Sequence, residues 1–225
     1  MVLGLGLPTP PPWRCSSRRY HFPHRRACPS GPLRRCGARA RRFLSGFQLV
    51  TSIALVGLPG SGKSTIGKLL SRRLGLPFVD SDQVIEERLG CSIRAYWEQH
   101  GEDAFRDIEQ EVLGELTQPG LSQVLATGGG SVLREVNRQR LRAGAYVVYL
   151  RTQPDQLLAR VRHDRKRPLL QVDDPMERLR SLYELRDPLY REAAHLTVDT
   201  GRPSVQSLVH LVQMQLELAG IRPAH

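Results

Sequence analysis

The chain has 225 residues, with 33 Lys and Arg against 22 Asp and Glu, and a formal net charge of +11. Four cysteines in that length do not make a disulfide framework, and no apolar run approaches the ~20 residues of a membrane span. The excess charge is confined to one end: residues 1–50 hold ten Arg, no Lys and no acid, which leaves +1 for residues 51–225.

That distribution argues against nucleic acid as a partner. A nucleic-acid footprint reads as basic residues clustered on one face or along a helix. Here they lie in a Pro- and Gly-rich leader, residues 1–48, that has no hydrophobic period. Its wealth of Arg and lack of acids fit an organellar targeting peptide. Seven prolines (Pro8, Pro10, Pro11, Pro12, Pro23, Pro29 and Pro32) break any long amphipathic helix, so a disordered dispensable tail or an artefactual upstream start is preferred. A cytoplasmic location follows, with a plastid as the alternative if the leader is a transit peptide. Cys15, Cys28 and Cys36 show no C-x-x-C knuckle, so no zinc site is expected beside His21 and His24. Cys91, alone in the domain, reads as a small buried apolar side chain.

Residues 49–225 are long enough to bury one core. The first strand, 52–56, runs straight into Gly57-Leu58-Pro59-Gly60-Ser61-Gly62-Lys63-Ser64-Thr65. This is the phosphate-loop pattern, followed by a helical period over 63–74. Glycines let the backbone wrap an anion, and the helix N-terminus adds positive potential. Lys63 is placed for terminal phosphates and the Ser64 hydroxyl for Mg2+. The implied cosubstrate is a nucleoside triphosphate.

A second strand, 77–80, ends in Asp80-Ser81-Asp82. One carboxylate is suited to the metal shell and the other to an acceptor hydroxyl, although Asp82 is also a candidate helix cap. Helical periods cover 82–89, 92–99 and 102–117. The last contains Phe105-Arg106-Asp107-Ile108-Glu109. Arg106 either pairs with Glu109 at i+3 or presents its fork to a substrate carboxylate. The third strand, 122–127, leads into Gly128-Gly129-Gly130, where backbone can approach a ligand closely. This strand lacks a terminal Asp, which leaves the metal role to Asp80.

A helix over 134–142, a strand over 145–150 and a helix over 154–162 come next. The charged segment 160–170 contains Arg160, His163 and Arg167-Pro168. It reads either as a solvated loop or as a mobile lid, about 163–174, that brings Arg167 to the transferring phosphoryl group. Helix 175–192 contains Arg186-Asp187-Pro188-Leu189-Tyr190, with Arg186 a second candidate carboxylate clamp and Pro188 a predicted kink or break. The strand 195–199 ends at Asp199-Thr200-Gly201-Arg202-Pro203, where Arg202 or Pro203 is placed to border a purine. Helix 203–219 closes the domain. Alternating strands and helices with near-continuous apolar strands predict an α/β fold, a parallel sheet covered on both faces. Ligands then bind at the carboxyl ends of the strands.

Taken together, the phosphate loop, Asp80-x-Asp82, Phe105-Arg106-x-x-Glu109, the three glycines, Arg167-Pro168-Leu169-Leu170 and Arg186-x-Pro188-Leu189-Tyr190 resemble one family, shikimate kinase. The likeness spans about residues 51–219. It implies a three-layer nucleoside-monophosphate-kinase-like fold with a five-stranded parallel sheet and a mobile lid. It also implies transfer of the ATP γ-phosphate to the 3-hydroxyl of shikimate, with Mg2+ as cofactor. Carried over, Gly57, Gly60, Ser61, Gly62, Lys63, Ser64, Thr65, Arg160, Arg167 and Arg202 face ATP, with Arg160 and Arg202 flanking adenine. Asp82, Arg106, Gly128, Gly129, Gly130 and Arg186 face shikimate. Ser64 and Asp80 face the metal, and Lys63, Asp82 and Arg167 are catalytic. A monomer is expected, with neither membrane nor nucleic acid as partner. The alternatives are a gluconate-type small-molecule kinase and a ligand-sensing domain of a regulator. The regulator would need an N-terminal helix-turn-helix, and residues 1–50 show no pattern for one.

Overall fold

A computed structural model describes residues 52–161, 174–201 and 203–221, all within the unit Ser45–His225. Five strands, β1 (Ser52–Val56), β2 (Phe78–Asp80), β3 (Val124–Ala126), β4 (Ala145–Arg151) and β5 (Leu196–Asp199), form one sheet in the order β2-β3-β1-β4-β5. Every pairing is parallel. Leu55 pairs with Ala126, and Ala126 with Asp80, so β1, β3 and β2 end side by side. The expected parallel three-layer α/β sheet is therefore the fold.

β1 is buried at every position, and its side chains alternate between two covering layers. Ile53 and Leu55 of β1, with Val148 and Leu150 of β4, pack with Ile66, Leu70, Leu208 and Val212. Those residues come from α1 (Lys63–Leu74) and α7 (Val205–Leu218). Ala54, Val56, Val147 and Tyr149 face the other way, onto Leu113, Leu141, Leu157 and Leu182. These lie on α3 (Ile93–Leu116), α4 (Glu135–Gly144), α5 (Pro154–Val161) and α6 (Pro175–Ala193). Leu70 is fully buried, so cutting it back to Ala costs about 2–5 kcal/mol. Gly67 allows α1 to lie against the sheet, since a Cβ there would sit 2.6 Å from the Phe78 ring.

Local chemistry sets the helix ends. Asp174 accepts the backbone N–H groups of Met176 and Glu177, at 2.9 and 3.0 Å, and Pro175 occupies the first turn. Ser204 caps α7 in the same way through Ser207. The helix α2 (Ser81–Leu89) ends at Gly90 in the left-handed conformation. Helix α3 is interrupted at Gly101, φ 84°, which corresponds to the two helical periods expected there.

Two expectations need correction. Of the kink or break expected at Pro188, the break is absent: α6 runs through it from Pro175 to Ala193. Cys91 is exposed, because it follows the cap glycine of α2 in a surface turn. No helix among the described residues is long and apolar enough to cross a membrane.

Candidate active site

The ends of β1, β2 and β3 border a cavity of about 480 Å3, lined among others by Pro59, Lys63, Ser64, Asp80, Asp82 and Gly129. The phosphate loop forms one wall. Gly62 adopts φ 97°, a conformation that L side chains rarely take, and so turns the loop into α1. Lys63 Nζ donates to the carbonyls of Gly57 and Leu58, at 2.8 and 3.0 Å, which holds the ammonium across the loop. Ser61 Oγ is buried with no partner among the described residues. Together with the first-turn N–H groups of α1, this wall is built for an anion.

Asp80 joins the loop to the second strand. Its Oδ2 accepts the Ser64 hydroxyl at 2.8 Å, and its Oδ1 accepts the Asp82 N–H at 3.2 Å. Asp80 is therefore the N-cap of α2, and the capping role considered for Asp82 is overturned: Asp82 already lies in the first helical turn. A hydroxyl and a carboxylate side by side are hard oxygen donors that suit Mg2+, which is commonly held by one or two carboxylates plus substrate phosphates. No group of three or more His, Cys, Asp or Glu among the described residues forms a closed metal cage.

The Asp82 carboxyl is pushed up to about 6, chiefly by burial and next by the Asp80 charge, while Lys63 opposes the shift. It lies against the triple-glycine turn. A Cβ on Gly128 would fall 2.6 Å from Asp82 Oδ1, and Gly128 N–H donates to Ser81 Oγ at 3.0 Å. Gly129 packs on the phosphate loop, where its Cβ would meet Pro59 at 2.7 Å, and a Cβ on Gly130 would collide with the Arg106 guanidinium.

Two arginines converge on these glycines. Arg106, 8% exposed, donates through Nη1 to Glu109 at 2.7 Å and through Nη2 to Glu102 at 3.1 Å. Its guanidinium also lies over the rings of Trp97 and Phe105. Burial raises the Glu109 carboxyl, and the Arg106 charge works against that. Arg106 thus makes the expected pair with Glu109 and still faces the turn. Arg186, on α6, donates Nη1 to the Gly129 carbonyl at 3.0 Å, and its Nε is buried with no partner among the described residues.

At the ends of β4 and β5, Arg160 donates to Thr200 Oγ1 at 3.2 Å and to the Thr200 carbonyl. Arg167, Arg202 and the lid segment, apart from the capping Asp174, lie outside the described residues. So does the leader. Pro59, Glu102 and Tyr190 join the site without an expected role. Tyr190 carried a usable signal, since it stands four residues after Arg186 on the same helix face, and its hydroxyl bonds the Gly129 carbonyl at 2.5 Å.

A phosphate loop at the carboxyl edge of a parallel sheet, with paired carboxylates and two arginines around a glycine turn, defines a phosphate-loop kinase of a small molecule. The profile of the family described as "Shikimate kinase" matches residues 59–217. A shikimate kinase of Paracidovorax citrulli is 59% identical over 174 residues, 76% of this chain and 95% of that protein. One from Burkholderia thailandensis is 54% identical over 170 residues, covering 76% and 92%. The structure of the Acinetobacter baumannii shikimate kinase in complex with shikimate aligns with a TM-score of 0.70 at 44% identity, covering 77% of this chain and 96% of that one. The Aquifex aeolicus enzyme aligns with a TM-score of 0.66 at 32% identity, covering 76% and 99%. The chain belongs to the shikimate kinase family.

Proposed function

We propose that this chain transfers the γ-phosphate of ATP to the 3-hydroxyl of shikimate, a step toward chorismate and the aromatic amino acids. The observation that carries the reading is the meeting of the phosphate loop, the partly buried Asp82 and the Arg186–Gly129 contact around one cavity. The first provides for phosphate, the second for a hydroxyl proton and the third for a carboxylate, as an acidic triol requires.

The phosphate loop binds the triphosphate, and Lys63 turns from the loop carbonyls to the terminal phosphates. Ser64 and Asp80 would hold Mg2+, which when bound offsets phosphate charge. Asp82 orients the 3-hydroxyl and takes its proton as the 3-oxygen bonds the γ-phosphorus and the β–γ bridging oxygen leaves with ADP. A base in this position contributes about 10²–10⁴-fold in rate. Arg186 and Arg106 grip the shikimate carboxylate, with Gly128, Gly129 and Gly130 pressed against the ring. Arg160 and Arg202 border the adenine. Arg167 closes with the lid over the phosphates. The enzyme acts as a cytoplasmic monomer without membrane or nucleic-acid partners. Phosphorus NMR of the product, after incubation with ATP, Mg2+ and shikimate, tests the reaction: one phosphate ester on the 3-oxygen is expected, and an ester at any other position rejects the assigned geometry.

A further inference from the structure

Helix α6 carries Arg186, yet its backbone ladder is weakened beside that residue. Pro188 has no N–H, so the Glu184 carbonyl, four residues back, receives no bond from it. Side chains hold this turn instead. Tyr149, 1% exposed in the middle of β4, donates its hydroxyl to Asp187 Oδ1 at 2.8 Å. Asp187 Oδ2 accepts Arg191 Nε at 2.6 Å. The Tyr149 ring stacks on Tyr190 at 5.0 Å, and Tyr190 and Arg186 both donate to the Gly129 carbonyl. Side-chain hydrogen bonds thus tie this turn of α6 both to the sheet and to the glycine turn.

We propose that Tyr149 and Asp187 are positioning residues for the acceptor: their hydrogen bond fixes the turn of α6 from which Arg186 reaches Gly129. The inference rests on Arg186 binding the shikimate carboxylate. Arg191 adds less, because its side chain is 48% exposed and exposed ion pairs contribute little. Tyr149 is buried and the Asp187 side chain is only 15% exposed, and a largely buried hydrogen bond lost from one side leaves its partner poorly satisfied.

Calorimetric titrations with shikimate and with ADP, alongside thermal midpoints, test this in Tyr149→Phe, Asp187→Asn, Asp187→Leu, Arg186→Ala and the Tyr149→Phe/Arg186→Ala double variant. Tyr149→Phe is expected to weaken shikimate about three- to tenfold and to leave ADP unchanged. Asp187→Asn keeps an acceptor oxygen for Tyr149 and retains most of the affinity, whereas Asp187→Leu loses at least as much as Tyr149→Phe. In the Arg186→Ala background, Tyr149→Phe adds no further loss. A lowered midpoint with unaltered shikimate affinity for Tyr149→Phe and Asp187→Leu overturns the proposal, and so do additive losses in the double variant. If Arg186→Ala alone leaves shikimate affinity intact, the carboxylate assignment falls and takes this inference with it. If Arg186→Ala weakens binding and Tyr149→Phe does not, only the inference falls.

Discussion

The Asp80 carboxylate caps the helix that carries Asp82, accepting the Asp82 N–H at 3.2 Å while its second oxygen accepts the Ser64 hydroxyl. One residue thereby links the phosphate loop to the backbone that places the proposed base, and the two carboxylates have different neighbours.

Their roles should separate in mutants. Asp80→Asn keeps a capping oxygen but removes a charged donor, so Mg2+ dependence should move to higher concentration. Asp82→Asn should cut turnover by about a hundredfold or more, with Mg2+ dependence little changed. Titration of both variants with Mg2+ and shikimate decides this. A silent Asp82→Asn would remove it from catalysis.

Asp82 should also set a pH dependence. Its carboxyl is raised from 3.8 to about 6. A base must be ionised, so kcat/KM for shikimate should fall toward acid pH, with the limb lying below about 6 once Mg2+ offsets the Asp80 charge that helps raise Asp82. Asp80 is among the causes of the shift, so Asp80→Asn should move that limb to lower pH. Stability runs in the opposite direction. The proton is held more tightly in the folded state, so stability falls as pH rises from about 4 to 6 and stays reduced above. Asp82→Asn should therefore stabilise the free protein at pH 7.5, by about 1–3 kcal/mol, and leave it nearly unchanged at pH 4. Equal effects at both pH values in chemical denaturation contradict this.

The proposed arginine clamp requires forks. A charge-assisted hydrogen bond contributes roughly 1.5–3 kcal/mol, so losing one should weaken shikimate about ten- to a hundredfold. Arg186→Lys and Arg106→Lys should both show such a loss, because an ammonium cannot bind a carboxylate in bidentate fashion. ADP affinity should be retained.

Glu102 competes with the substrate in this account. Its half-exposed carboxylate engages two nitrogens of Arg106, at 3.3 and 3.1 Å. Glu102→Gln should tighten shikimate by a few-fold, and the gain should shrink at high salt, as expected of a partly exposed pair. Titrations at two ionic strengths show whether it does.

Arg167, the proposed lid arginine, should act on chemistry. Arg167→Ala should lower turnover strongly, while shikimate affinity without nucleotide stays near the parent value. Unaltered turnover would make the segment 160–170 an ordinary charged loop.

Much of this site was readable from sequence because parallel strands deliver their chemistry locally. Asp80 ends a strand, and Lys63, Asp82 and Gly128–Gly130 each follow one closely in the chain, so the topology gathers them without long-range knowledge. Contacts across the fold were not readable. Tyr149 meets Asp187 across 38 residues and Tyr190 meets Gly129 across 61. Nothing in the local pattern of β4 separates a tyrosine that bonds from one that only packs. Pro188 does not break α6 because helix propensity describes the backbone alone, whereas Asp187, Tyr190 and the packing of α6 outweigh one missing hydrogen bond. Asp82 was a candidate cap because the two acids are equivalent in sequence, and the helix start at Ser81 gives that role to Asp80.

The most direct test of the central claim is the rate of ADP release from ATP and Mg2+ against a panel of shikimate, quinate, gluconate and nucleoside monophosphates. The account predicts rapid turnover with shikimate, at a kcat/KM at least a hundredfold above every other acceptor, and its loss in both Asp82→Asn and Arg186→Ala. Preference for gluconate or a nucleotide, or shikimate turnover that survives both substitutions, would contradict it.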